Sequence, residues 1–89
     1  MFEWDPGKNQ TNIKKHGVSF ETAQRIFDGP VVSGADTRED YGEDRFVGIG
    51  GAAGAVLAVV YTYRGENTRL ISARPATRTE REKYDEQIR

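Results

Sequence analysis

"AVLAVVYTYR", residues 55–64, is apolar at every position from Ala55 to Val60 and ends in Tyr61-Thr62-Tyr63-Arg64. A strand with one face in water alternates apolar and polar residues. A run that is apolar on both faces marks a strand covered from both sides. We therefore read this stretch as the central strand of a sheet and its flanks as the neighbouring strands. On one side, Gly65-Glu66-Asn67 turns the chain and "TRLISAR" (68–74) forms the next strand, ended by Pro75. On the other side, "EDRFVGIG" (43–50) alternates, with Arg45, Val47 and Ile49 on one face and Phe46 and the glycines on the other, and "GGAAG" (50–54) is the turn. Farther out, "VVSGA" (31–35) is a candidate strand and "FEW" (2–4) a short edge strand.

The period changes to helical in two other regions. Asp5 is a good N-cap and Pro6 suits the first helical position, so a helix is expected through about Lys15, with His16-Gly17 as its end. Ile13 is its only large apolar residue, which predicts a narrow buried stripe. Ser19 caps a second helix, in which Phe20, Ala23, Ile26 and Phe27 form an amphipathic pattern that stops at Asp28-Gly29-Pro30. Thr77 with Glu80 forms a capping box for a last, very polar helix over 78–88, whose large apolar residues are Tyr84 and Ile88. The resulting expectation is an α+β fold. An N-terminal helix pair and a C-terminal helix pack on a mainly antiparallel sheet of three or four strands, with residues 1–89 as one domain.

The chain has 13 basic and 14 acidic residues and a net charge of −1, so it has no global positive field for nucleic acid. Two local patches cancel. Residues 36–44 hold five acids against Arg38, a local sum of −4, while residues 64–81 hold five arginines against Glu66 and Glu80, a local sum of +3. There is no cysteine, hence no disulfide framework and no thiolate metal site. No apolar run approaches the ~18–20 residues that span a bilayer. The opening "MFEWDPGK" has neither the charged nor the apolar region of a signal peptide, so a cytoplasmic location and no membrane partner are expected.

The arginines gather at one strand-to-helix junction, "RLISARPATRTER" (69–81). Guanidinium forks beside the free N–H groups of a helix start suit an anion such as phosphate. Strict alternation sets a limit: Arg69 falls with Ile71 and Ala73, and Arg74 with Leu70 and Ser72, so the two point to opposite faces unless a bulge intervenes. The competing reading makes them a solvated face paired with the acidic 36–44 segment or with Glu80, Glu82 and Glu86. His16 is the only histidine, the side chain best suited to move a proton near neutral pH. With no cysteine and no clustered carboxylates, neither a metal site nor any other cofactor is expected. "GIGGAAG" (48–54) mimics a dinucleotide fingerprint but joins strand to strand, and Trp4 reads as core. No helix-turn-helix with a basic recognition helix is present, since the second helix carries only Arg25, so direct DNA binding is a poor reading.

"FEWDPGKNQTNIKKHGVSFETA" (2–23), "EDRFVGIG" (43–50) and "RLISARPATRTEREKY" (69–84) together resemble the BrnT family, small ribonuclease toxins of bacterial type II toxin–antitoxin pairs. The resemblance runs in order along nearly the whole chain and takes in Trp4, Asp5, Lys8, Asn12, Lys15, His16, Gly17, Arg45, Arg69, Ser72, Arg74, Glu80, Arg81 and Tyr84. It implies a RelE-like fold, metal-independent RNA cleavage, and a BrnA-type antitoxin that neutralises the toxin and brings DNA binding to the pair. On that basis His16, Arg64, Arg69, Arg74, Glu43 and Tyr84 are candidate catalytic residues, and Lys8, Lys15, Arg45, Arg78 and Arg81 candidate RNA contacts. The alternative is a binding module without catalysis, in which the basic patch docks an antitoxin and the chain acts as co-repressor.

Overall fold

The computed structural model describes residues 1–88. In chain order it has β1 (Phe2–Glu3), α1 (Pro6–His16), α2 (Phe20–Ala23) running on into a 3-10 segment (Gln24–Asp28), β2 (Val31–Ala35), β3 (Phe46–Ala52), β4 (Ala55–Arg64), β5 (Asn67–Pro75) and α3 (Arg78–Ile88). The sheet order is β1-β5-β4-β3-β2. β2 to β5 form an antiparallel meander, and β1 lies parallel to β5. The expected α+β class holds, but the sheet is five-stranded and mixed rather than three- or four-stranded. The short N-terminal stretch is an edge strand as expected; it adds the parallel pair because the chain leaves it through α1 and α2 before crossing to the far edge.

β4 is central, and Leu57 through Thr62 are all buried. On one face Leu57, Val59 and Tyr61 meet Leu70, Ala73, Phe20, Ala23 and Ile26 to make the core. The helix expected over 20–27 tightens into 3-10 winding after Ala23. Its Ile26 lies so close over β3 that a Cβ on Gly50 would sit 2.8 Å from the Ile26 Cβ. Trp4 packs against the core, edge-on to Phe20. The opposite face carries Ile49, Ala58, Val60 and Thr62, all buried, and α3 packs across β3 and β2.

The local signals were accurate. The Asp5 carboxylate accepts from the Gly7 N–H at 2.7 Å, and Gly17 closes α1 in the left-handed region with φ 71°. The Thr77–Glu80 box forms in both directions: the Glu80 N–H donates to Thr77 Oγ1 at 3.2 Å and the Thr77 N–H to Glu80 Oε1 at 2.8 Å. The β3–β4 turn is shorter than expected, because β3 runs on to Ala52 and leaves Ala53 and Gly54 as the loop, with φ 51° and 77°. Positive φ at both positions is the hairpin-compatible turn that favours Asn-Gly. Ala53 adopts it at a cost set by its Cβ. Ala53→Asn is expected to raise stability by about 0.5–1 kcal/mol, read as a higher urea midpoint with an unchanged m-value.

One irregularity positions the arginines. Val60 pairs with Ser72 but Tyr61 with Leu70, so Ile71 has no partner on β4. This bulge resets the alternation. Ala58, Val60 and Thr62 share a face of β4, and their partners are Arg74, Ser72 and Arg69. Both arginines therefore lie on the face opposite the core, where unbroken alternation puts them on different sides.

Candidate functional site

α1 lies along the edge of β5, fixed there by Asn12 and tied to α2 by Asn9, not by an apolar stripe. Ile13, the one large apolar residue, is 38% exposed, whereas Asn9 and Asn12 are buried. Asn12 Nδ2 donates to the carbonyls of Val18 (2.8 Å) and Ala73 (2.7 Å), and its Oδ1 accepts from the Ala73 N–H (3.1 Å). One turn earlier, Asn9 Oδ1 accepts from the Phe20 N–H and its Nδ2 donates to Glu21. Asn12 thus supplies Ala73 with both hydrogen bonds that a neighbouring strand would give. This helix attachment was missed from the sequence. Asparagine counts as polar in a hydrophobic pattern, and its partner lies 61 residues away.

Because Asn12 faces β5, so do the residues at helical spacing from it. Lys8, Asn12, Lys15 and His16 line a groove of about 560 Å3 with Ile71 and Ser72 across from them. The bulged residue and its neighbour form the strand side of this groove. His16 is half-buried, and Lys8 and Lys15 are exposed. Among the described residues no carboxylate lies within ion-pair distance of any of the three. Three of the sequence candidates, 8, 15 and 16, are thus brought together.

Arg69 and Arg74 are each held by a carboxylate. Arg69 Nη1 donates to Glu3 Oε2 at 2.6 Å, and Asn67 binds the other oxygen of Glu3. Arg74 binds Glu80 through both terminal nitrogens, at 2.7 and 3.0 Å, and also reaches the Pro75 carbonyl. The anion at the start of α3 is therefore the chain's own Glu80, which offsets Arg78 and Arg81 near that helix end. A guanidinium has five N–H donors, so donors on Arg69 and Arg74 stay available beyond these bonds. Arg38, a residue the sequence did not single out, acts on Arg74 as a neighbouring like charge.

These pairs have a pH signature. The Arg74 hydrogen bonds hold the Glu80 carboxyl at about 2, against an ordinary 4.5. The Arg38 hydrogen bonds hold Asp36 at about 2, against 3.8. Both groups titrate lower folded than unfolded, so their stabilisation is complete above the ordinary values and is lost as pH falls through the folded ones. The urea midpoint is expected to drop between about pH 4.5 and about pH 2, with Glu80→Gln making the drop shallower.

The remaining candidates lie elsewhere. Glu43 accepts from Arg45 at 3.1 Å and from Arg64 at 3.5 Å, and Arg45 also stacks over Tyr41. Tyr84 is on α3 beside Gly51 and lines a different cleft with Arg25 and the β3–β4 loop. Arg78 pairs with Glu82 one turn on, and Arg81 is exposed. Among the described residues no three His, Asp or Glu side chains gather to hold a metal ion, and no helix is long and apolar enough to cross a membrane.

A search of curated proteins finds no match. The model of a family described as "Ribonuclease toxin, BrnT, of type II toxin-antitoxin system" matches residues 4–80, which include β5 and every residue lining the α1–β5 groove, and the chain belongs to this family.

Proposed function

We propose that the chain cleaves RNA without a metal ion, in the groove between α1 and β5, by attack of a 2′-hydroxyl on the adjacent phosphate. In this reaction O2′ loses its proton and bonds phosphorus, the P–O5′ bond breaks, and a proton goes to O5′. The products are a 2′,3′-cyclic phosphate and a 5′-hydroxyl. His16 carries one of the two protons, as base or as acid, and water carries the other. Lys8 and Lys15 stabilise the dianionic phosphorane, and the spare donors of Arg69 and Arg74 hold the flanking phosphates along β5. Glu43 and Tyr84 have no part in this scheme: the first ties Arg45 and Arg64 together, and the second lies in another cleft.

The observation that carries the reading is the meeting of the lone imidazole with two ammonium groups that have no carboxylate partner among the described residues, beside a strand face lined with arginine. Lys8 and Lys15 bring uncompensated positive charge to a phosphodiester, whereas Arg69 and Arg74, already paired with Glu3 and Glu80, offer only their remaining N–H donors. The test is incubation of the purified chain with RNA in excess EDTA. Cleavage with cyclic-phosphate ends is expected, and RNA carrying 2′-O-methyl groups should stay whole. Cleavage that requires added Mg2+, or that proceeds on the methylated RNA, would overturn the scheme.

A further inference from the structure

We infer that the outer edge of β2 is the docking site for an extended segment of a protein partner, one that carries Lys or Arg beyond the end lying next to residues 36–44. This inference rests on the family's antitoxin as the partner and does not depend on the cleavage mechanism. The two edges of the sheet are treated differently. The β5 edge is closed by β1, with the Thr68 N–H donating to the Met1 carbonyl at 2.8 Å, and farther along by the side chain of Asn12. The β2 edge has no neighbour among the described residues.

The ladder shows which backbone groups are open. The Asp36 N–H donates to the Arg45 carbonyl at 2.7 Å, which makes 36 a hydrogen-bonded position. Alternation then turns the N–H and C=O of Val31, Ser33 and Ala35 outward. Residues 33–35 are exposed. The usual protections of an edge are absent from β2: it has no charged side chain, no internal proline and no bulge. Such an edge is a template for an added strand.

Charge selects the occupant. Past β2, Asp36 and Glu43 are neutralised by Arg38, Arg45 and Arg64, but Glu39, Asp40 and Asp44 are exposed with no cation in ion-pair distance among the described residues. A second copy of the chain is a poor fit. Antiparallel pairing about Ser33 puts this acidic segment beside the other copy's Asp28 and Arg25, a single cation offset by a carboxylate, and parallel pairing puts the two acidic segments side by side. Like charges so placed are unfavourable. A strand continued by basic residues meets the same carboxylates favourably, and α3 packed across β2 and β3 holds the edge in place to receive it.

The test is amide hydrogen exchange on the chain alone and on its complex with the antitoxin co-expressed from the same operon. The amides of Val31, Ser33 and Ala35 should slow by about tenfold or more on binding. A Glu39→Lys, Asp40→Lys, Asp44→Lys triple variant, altered only at exposed positions, should bind about tenfold more weakly in dilute buffer and nearly as the parent at ~1 M salt. A complex in which these three amides exchange as they do in the free chain overturns the inference, as does a triple variant that binds like the parent. Protection of the same amides in the free chain through dimer formation overturns it in favour of a second copy. A chain that cuts RNA but binds no antitoxin removes the docking site and leaves the nuclease reading. A chain that binds through these amides and cuts nothing does the reverse.

Discussion

Replacing His16 by alanine should lower RNA cleavage by ~10²–10⁴-fold, the range for loss of a positioned proton-transfer group. The fold should be unaffected. The imidazole is half-buried, and among the described residues it makes no hydrogen bond, so the change in stability should stay within about 0.5 kcal/mol. α1 ends through Gly17 and not through the ring, which leaves the helix terminus intact in the variant. Single-turnover cleavage and a urea melt on one preparation separate the two effects. His16→Ala cutting at the parental rate would remove the groove from the chemistry. Lys8→Ala and Lys15→Ala should each cost up to ~10²–10³-fold, as for one electrostatic donor.

Asn12→Ala should be the most destabilising single change at the site, by about 3 kcal/mol or more. It removes three hydrogen bonds and strands three backbone groups: the Ala73 N–H, the Ala73 carbonyl and the Val18 carbonyl. Each buried group left without a partner costs about 1–3 kcal/mol. For a small domain that is a large share of a total stability of about 5–10 kcal/mol. Asn12→Asp keeps an acceptor for the Ala73 N–H but loses both donors and sets an oxygen against two carbonyls, so it should not rescue. The Ala73 amide should also become one of the faster-exchanging positions of β5. A urea midpoint for Asn12→Ala matching the parent's would show that the side chain does not close the strand edge.

What the sequence revealed and what it hid divide by range of interaction. Asp5, Gly17, Ser19 and the Thr77–Glu80 box act on backbone within a few residues, and each was legible. The continuous apolar run 55–60 identified the central strand because burial on both faces leaves no other pattern. Three features were not legible, and each depends on a distant partner. Asn12 is buried because Ala73 comes to it, Arg69 is neutralised by Glu3 from 66 residues away, and the bulge at Ile71 exists only relative to β4. The candidate site was therefore legible as a set of residue types, and the arrangement was not. His16 with its two lysines converges on one groove. Glu43 and Tyr84, equally plausible as chemistry, lie beside other neighbours.

The unpaired Ile71 also bears on how this stretch should be lined up against other sequences. Arg69 and Arg74 are five positions apart, an odd count, yet they face one way because a single residue is spent outside the ladder. A chain shorter by one residue here would reach the same orientation with a straight strand. A one-residue gap opened opposite position 71 would then be the correct correspondence, and an ungapped alignment through it would match inward positions to outward ones.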